Sequence, residues 1–234
     1  MSASRATRYL IVNADDLGAS PGITRGILEG HARGVVTSTS LMVDTPWSRE
    51  SALLARPASR LSVGLHVDLA PGTNGDASGV DVVQALRRQY DRFTTLMGRP
   101  PTHIDSHHNV HLDPPLLASF LAFSRAVGLP LRGRSPARYF SSFYGQWGGE
   151  SHPEHVSVES LLGMLERRVG AGITELGCHP GYRDPRVPTA YGVEREVELE
   201  TLCDPRVRTA LAPLGIALAS FHDLGRLSAI GLRG

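Results

Sequence analysis

Short runs of apolar and β-branched residues recur along the chain and predict about seven strands. These runs cover residues 9–12, 35–43, 61–67, 102–105, 129–131, 174–178 and 216–221. Between them, apolar residues occur at helical spacing at Ile23, Ile27 and Leu28; at Val82, Val83, Leu86, Tyr90, Phe93 and Leu96; at Leu116, Leu117, Phe120 and Phe123; and at Leu161, Leu162 and Leu165. Strands that alternate with helices are typical of βα units around a mainly parallel sheet. The pattern therefore predicts an α/β fold.

Two segments show neither the apolar runs of strands nor the apolar spacing of helices, and we predict that they are irregular. Residues 70–80 are rich in glycine, proline and aspartate, which is typical of a loop. Residues 132–156 are longer and carry aromatic side chains among glycines and serines: Tyr139, Phe140, Phe143, Tyr144 and Trp147. Loops of that length are usually functional or disordered, and the aromatic residues argue against disorder. We expect them to contact a substrate, a second subunit or the protein core.

Length, charge and cysteine content indicate the number of domains, the partners and the compartment to expect. A chain of 234 residues suits one α/β domain, so we expect residues 1–234 to form a single domain. Its 24 basic and 23 acidic residues leave a formal net charge of +1, which predicts no nucleic-acid partner. The two cysteines, Cys178 and Cys203, argue against a disulfide framework, so the cytoplasm is the default compartment. No apolar run is long enough for a signal peptide or a membrane span.

Acidic and imidazole side chains follow several of the predicted strands. Asp15 and Asp16 come at the end of the first strand, and His66 ends the third. His107 follows the fourth strand, and His179 follows the sixth. In α/β barrels and open α/β sheets, active sites form at this carboxyl edge. The placement predicts one site to which remote parts of the chain contribute.

These residue types suit metal-assisted hydrolysis. Two imidazoles and one carboxylate can bind one face of a divalent ion and leave positions open for water and substrate. Since Asp15 and Asp16 are adjacent, one can bind the ion while the other accepts a proton. An imidazole across the site can protonate a leaving amine. Together these groups indicate hydrolysis of an acyl bond.

Each residue also has a structural interpretation. An Asp-Asp pair after a strand can cap a turn or a helix. His66 can be a core histidine, and His179 can simply end a strand. Four histidines occur within residues 103–111, which is harder to explain by packing alone. Within that run, His107 and His111 have i, i+4 spacing and can chelate an ion together if the segment is helical.

The same residues lie in motifs that resemble the YdjC family of carbohydrate deacetylases, also called ChbG-type chito-oligosaccharide deacetylases. The matching stretches are 11–18 (IVNADDLG), 34–40 (GVVTSTS), 64–66 (GLH), 101–111 (PTHIDSHHNVH) and 178–182 (CHPGY). They span most of the chain in the expected order, so the match is specific as a set. Two positions depart from the family pattern: Leu17 replaces a common Phe, and Asn109 replaces a frequent third consecutive His.

The resemblance implies a fold, an activity and a set of site residues. It implies a distorted TIM-like βα barrel that removes the acetyl group from an N-acetylated amino sugar or chito-oligosaccharide and releases acetate. By motif, Asp16, His66 and His107 correspond to ligands of a divalent ion, usually described as Mg²⁺, with Zn²⁺ as an alternative. Asp15 corresponds to the general base, and His179 is assigned as the proton donor. A homodimer is a family-level expectation.

Two other functions fit part of the pattern. Two histidines and one carboxylate also form the metal site of non-haem Fe(II) oxygenases. Such enzymes need a cosubstrate, for which the sequence shows no motif. A non-catalytic sugar-binding barrel is the second alternative, although such a protein has no need to keep Asp15 beside the ligands.

Overall fold

The structure is a computed structural model that describes residues 7–69, 79–187 and 189–231. Within these ranges the strands are β1 (Arg8–Leu17), β2 (Ser38–Leu41), β3 (Ser62–Val67), β4 (Ile104–Ser106), β5 (Arg138–Phe140), β6 (Gln146–Trp147), β7 (Glu150–Ser151), β8 (Gly172–Cys178) and β9 (Ile216–Ala219). The α-helices are α1 (Pro21–Arg33), α2 (Ser48–Ala55), α3 (Gly79–Met97), α4 (Pro114–Val127), α5 (Val158–Arg168), α6 (Val193–Cys203), α7 (Pro205–Leu211) and α8 (Leu224–Gly231).

Seven of these strands form one curled parallel sheet in the order β4-β3-β2-β1-β8-β5, with β9 paired to the first half of β1. The remaining two strands, β6 and β7, form a separate antiparallel hairpin. The predicted α/β fold, a distorted βα barrel of about seven mainly parallel strands, is therefore confirmed. Because every pairing in the main sheet is parallel, the carboxyl ends of its strands meet at one edge.

The two faces of the sheet are buried differently. Along β1, Leu10 and Val12 belong to the large apolar core that the surrounding helices cover. The alternate residue Ile11 belongs to a smaller cluster on the inner face, which Phe221 and residues of α8 complete. Farther along the inner face, at the carboxyl end, the buried residues become polar, beginning with Asn13. The inner face is thus apolar at one end and polar at the end where strands finish.

The predicted strand at 129–131 is wrong, because only Leu131 pairs, in a single bridge with Ile104. The segment 132–156 is also more regular than predicted, since it contains β5 and the β6–β7 hairpin. β5 has no apolar alternation and exists through its pairing with β8. The segment 131–140 therefore contacts β4 at its start and β8 at its end, and so connects the two edges of the curled sheet.

All four helices that apolar spacing predicted are present as α1, α3, α4 and α5. The pattern missed α2, α6, α7 and α8. In α6 the signal is weak because the buried residues include the charged Glu194, Arg195 and Glu198. Of the loop predicted at 70–80, residues 70–78 lie outside the described residues, and residues 79 and 80 begin α3. Among the helices that the structure describes, none has both the length and the apolar character to cross a membrane.

Helix α1 lies against the segment that follows β8, and this contact yields a prediction. A Cβ atom built on Gly26, in the middle of α1, lies 2.5 Å from the Cα atom of Gly181. Alanine normally stabilises a helix interior relative to glycine by about 1 kcal/mol. We expect Gly26→Ala to lower the free energy of unfolding instead, because backbone has to move. Urea denaturation measures the change.

The matched control is Gly225→Ala in α8, where the added Cβ meets no atom of the described residues within 4 Å outside its chain neighbours and its own helix backbone. This variant should be as stable as the parent protein or more stable. Equal effects of the two substitutions would show that the close approach of α1 to Gly181 has no energetic weight.

Candidate active site

A β-bulge at the end of β1 turns two adjacent carboxylates to the same side. Where β2 has the single residue Ser40, β1 has two residues, Asp15 and Asp16. Neighbouring side chains of a regular strand point to opposite faces, and a bulge re-aims one of them. Asp16 has a φ of 70°, in the left-handed region that non-glycine residues rarely adopt. Both carboxylates consequently line one cavity, which His66, His107 and His179 also line.

Asp16, His66 and His107 bring their polar atoms close enough to share an ion. Asp16 Oδ1 lies 3.2 Å from His66 Nε2 and 3.2 Å from His107 Nδ1. Ligand atoms bound about 2.1 Å from one divalent ion are about 3 Å apart, so these distances fit a metal centre. The three residues come from β1, β3 and the 3-10 turn His107–Leu112 that follows β4. Their roles as ligands stay a prediction.

The orientation of His66 supports this interpretation. Its Nε2 atom is buried and makes no hydrogen bond to any residue that the structure describes, although a buried polar nitrogen normally has a partner. Its Nδ1 atom lies 2.7 Å from Asp105 Oδ1 and 3.2 Å from Ser40 Oγ. Metal-binding histidines commonly use their second nitrogen in this way, which fixes the ring and its tautomer. Asp105 thus holds the imidazole of His66 in this orientation.

A second group of three possible ligand residues is already neutralised by a cation. Asp15, His66 and Asp105 also place ligand atoms within 4.8 Å of one another. The guanidinium of Arg132, however, lies 2.7 Å from Asp15 Oδ1 and 2.8 Å from Asp105 Oδ2. An ion between these carboxylates would have to displace a buried arginine. The group with Asp16 is therefore the one that fits a metal.

Arg132 is fully buried and makes ion pairs with three carboxylates. It forms a bidentate pair with Asp15, with both N···O distances at 2.7 Å, and its Nε donates to Glu175 Oε1 at 2.7 Å. Asp105 accepts the third contact. Burial raises the pKa of Asp15, but the adjacent Arg132 outweighs burial and holds this pKa below its usual value. Asp15 is therefore ionised and held in one orientation.

Arg195, in α6, contacts both Asp16 and His179. Its Nη2 atom lies 2.6 Å from Asp16 Oδ2, and its Nη1 donates to the backbone oxygen of His179 at 3.2 Å. Burial raises the pKa of Asp16, but Arg195 and the two histidines beside it lower this pKa well below its usual value. Because Arg195 occupies Oδ2, Asp16 presents Oδ1 to the histidines.

His179 lines the same cavity as the predicted ligands and lies near Asp15. Its Nε2 atom is 3.9 Å from Asp15 Oδ2, and its buried Nδ1 has no hydrogen-bond partner within residues 7–69, 79–187 and 189–231. Burial lowers the pKa of His179 to about 4, although Asp15 and Asp16 act in the opposite direction. The imidazole is consequently neutral in the free protein at neutral pH. Its position, within reach of Asp15 and the cavity, suits proton transfer.

Two other histidines of the 103–111 run, His103 and His111, do not join the predicted ligand group. His103 is buried and stacks on Phe221, with ring centroids 3.7 Å apart. His111 is buried, and its Nδ1 lies 2.7 Å from Ser106 Oγ. Chelation by His107 and His111 together is wrong, because His108 and Asn109 have left-handed φ values of 55° and 54° that interrupt the turn.

Sequence reasoning missed both arginines of the site. All 24 basic residues of the chain are arginines, so nothing in composition or spacing distinguishes Arg132 or Arg195 from the rest. Arg132 follows the bridge at Leu131, where the chain passes between the edges of the sheet. Arg195 is one of the charged residues that α6 buries, and apolar spacing did not predict this helix. Only the fold reveals that these two side chains meet the two aspartates.

The family model described as YdjC-like protein matches residues 9–213. The chain belongs to this family. The family assignment from the motifs is therefore confirmed.

Relatives named chitooligosaccharide deacetylases resemble the chain over nearly its whole length. It is 35% identical to a chitooligosaccharide deacetylase of Serratia marcescens, with 93% of this chain and 99% of that protein covered. It is 33% identical to a chitooligosaccharide deacetylase of Yersinia pestis, with 92% and 99% covered.

Among solved structures, the chain resembles a protein of Enterococcus faecalis V583 that is described as a cellobiose-phosphate cleavage protein. The TM-score is 0.81 and the sequence identity is 30%, and the match covers 94% of this chain and 99% of that one. A family 4 carbohydrate esterase of Streptomyces lividans matches with a TM-score of 0.56 and 13% identity, over 94% of this chain and 96% of that chain. At that identity the likeness concerns the fold alone.

The burial of Arg132 yields a prediction about stability. Arg132→Met leaves the carboxylates of Asp15, Asp105 and Glu175 together in the interior without their cation. Removing one partner of a buried ion pair typically costs about 3–5 kcal/mol, so we expect a loss of this size in urea denaturation. The control is Arg206→Met, since Arg206 also contacts two acidic residues but at the exposed surface. Its unfolding midpoint should not change, and equal losses in both variants would contradict the central role of Arg132.

Proposed function

We propose that this protein is a metal-dependent hydrolase that removes the N-acetyl group from an acetylated amino sugar or chito-oligosaccharide. The observation that carries the proposal is the cavity in which Asp16, His66 and His107 meet beside the ionised Asp15. The names of the relatives, chitooligosaccharide deacetylases at 33–35% identity, support the substrate class. Hydrolysis of such an amide yields acetate and a free amino group.

In this proposal, Asp16 Oδ1, His66 Nε2 and His107 Nδ1 hold a divalent ion. When bound, such an ion polarises the acyl carbonyl and lowers the pKa of water towards neutrality. Family resemblance favours Mg²⁺, while two imidazole ligands also suit Zn²⁺. Asp105 and Arg195 support the site by fixing the orientations of His66 and Asp16.

Asp15 serves as the general base. It is ionised, it lines the cavity, and it neighbours the ligand Asp16 in the chain. Its pairing with Arg132 makes it a weaker base but keeps it deprotonated and correctly oriented. Asp15 therefore accepts the proton that a water molecule loses when its oxygen attacks the acyl carbon.

His179 completes the proton transfer. Since its imidazole is neutral in the free protein, it must gain a proton before it can act as an acid. Asp15 Oδ2 lies 3.9 Å from His179 Nε2, so the proton taken from water has a short path to the imidazole. His179 then donates it to the amide nitrogen as the C–N bond breaks. One water is consumed, and one acetate and one amine are formed.

The two alternative functions predict different products. A non-haem Fe(II) oxygenase would consume oxygen and would not need Asp15 beside the ligands. A non-catalytic sugar-binding barrel would bind a saccharide without changing it. Acetate release without oxygen uptake separates hydrolysis from both. The cytoplasmic location and the homodimer stay predictions.

Removal of the metal gives the first test. The protein is treated with a chelator, and acetate release from N-acetylated mono- and oligosaccharides is measured before and after Mg²⁺ or Zn²⁺ is returned. We expect acetate release to disappear with the ion and to recover with it, because the carbonyl is no longer polarised. Full activity in a preparation shown by elemental analysis to be metal-free would contradict the proposal.

Substitution of the base gives the second test. Asp15→Asn keeps the size of the side chain but cannot accept a proton, so we expect kcat to fall by roughly 10²–10⁴-fold. Metal affinity, measured by calorimetry, should stay nearly unchanged, whereas Asp16→Asn should weaken it strongly. Undiminished turnover in Asp15→Asn, with the fold intact by circular dichroism, would refute its assignment as the base.

A further inference from the structure

The structure points to Tyr144 as the surface on which the substrate binds: we propose that a pyranose ring of an N-acetylated saccharide stacks on the outer face of this tyrosine. The inference rests on the proposed function, because it assigns the same cavity a sugar as its ligand. Tyr144 lines the cavity and keeps 37% of its surface exposed. A large exposed aromatic ring inside a polar cavity is the type of group that anchors a ligand.

Tyr144 stacks on a second aromatic ring, Tyr191, which hydrogen bonds hold in place. Its ring lies flat on Tyr191, with centroids 4.5 Å apart and planes 1° from parallel. The hydroxyl of Tyr191 donates to Glu198 at 2.5 Å and accepts from the backbone nitrogen of Gly145 at 2.9 Å. Since Tyr191 covers one face of Tyr144, the accessible area belongs to the other face and the edge. A fixed ring loses little conformational entropy when a ligand binds to it.

The other aromatic residues of the 132–156 segment are unsuitable for this role. Phe143 is completely buried in the core, and Phe140 packs against the same core and is not among the described residues that line the cavity. Tyr139 lines the cavity, but the guanidinium of Arg132 lies 4.7 Å above its ring and covers that face. Trp147 is exposed, yet it stacks on His152 and does not line the cavity.

The position of Tyr144 matches the chemistry of the site. Its ring contacts His179 edge to face, with centroids 5.7 Å apart. A sugar ring lying on Tyr144 would therefore be beside the imidazole that protonates the leaving nitrogen. Ser141 and Gln146 line the same cavity and offer hydrogen-bonding groups to sugar hydroxyls. A pyranose presents a face of C–H groups and a rim of hydroxyls, which fits an aromatic face bordered by polar side chains.

The experiment compares three substitutions at Tyr144 in the Mg²⁺-supplied protein. The probe is N,N′-diacetylchitobiose, with KM and kcat from acetate release and Kd from calorimetry. We expect Tyr144→Ala and Tyr144→Leu to raise KM and Kd by roughly tenfold while kcat changes much less, because ring stacking contributes to binding. Tyr144→Phe, which keeps the ring, should bind like the parent protein. Tyr144→Leu retains apolar contact with Tyr191 and keeps the test valid if Tyr144→Ala unfolds.

The matched control is Trp147→Ala, which removes an exposed aromatic ring three residues away and should leave KM and Kd unchanged. Unaltered KM and Kd in Tyr144→Leu, or an equal loss in Tyr144→Phe, would overturn the inference. If the parent protein binds the disaccharide but releases no acetate, the proposed hydrolysis fails, while the Kd values still decide the role of Tyr144. If the parent protein does not bind the disaccharide at all, the stacking surface is refuted.

Discussion

The site depends on one buried cation. Arg132 lies where three carboxylates from different strands would otherwise face each other in the interior: Asp15 of β1, Asp105 of β4 and Glu175 of β8. Each of these carboxylates would be costly to bury alone, and together they would repel one another. The guanidinium allows the inner face of the sheet to be acidic, because its rigid donors can satisfy several acceptors at once.

This arrangement also separates the tasks of the two adjacent aspartates. Arg132 pairs with Asp15 through both carboxylate oxygens, whereas Arg195 pairs with one oxygen of Asp16 and leaves the other facing His66 and His107. Two identical side chains that are neighbours in the chain thereby gain different surroundings. Differences in pairing, rather than in residue type, suit one to proton transfer and the other to binding an ion.

Much of the fold and part of the site could be predicted because the signals were local. Apolar spacing identified α1, α3, α4 and α5, and strand ends located Asp15, Asp16, His66, His107 and His179 at one edge. What could not be predicted depends on long-range contacts. β5 exists only because it pairs with β8, and α6 buries the charged Glu194, Arg195 and Glu198 beside its apolar residues. An isolated arginine such as Arg132 carries no local signal, since its partners are remote in sequence.

The left-handed backbone at Asp16 restricts which residues this position can accept during evolution. Aspartate and asparagine are among the few side chains other than glycine that tolerate such a conformation, whereas β-branched and bulky residues do not. Glutamate, which is an equally good metal ligand in principle, would strain the chain before it reached an ion. Variation among homologues at this position should therefore be limited by backbone geometry as much as by coordination chemistry.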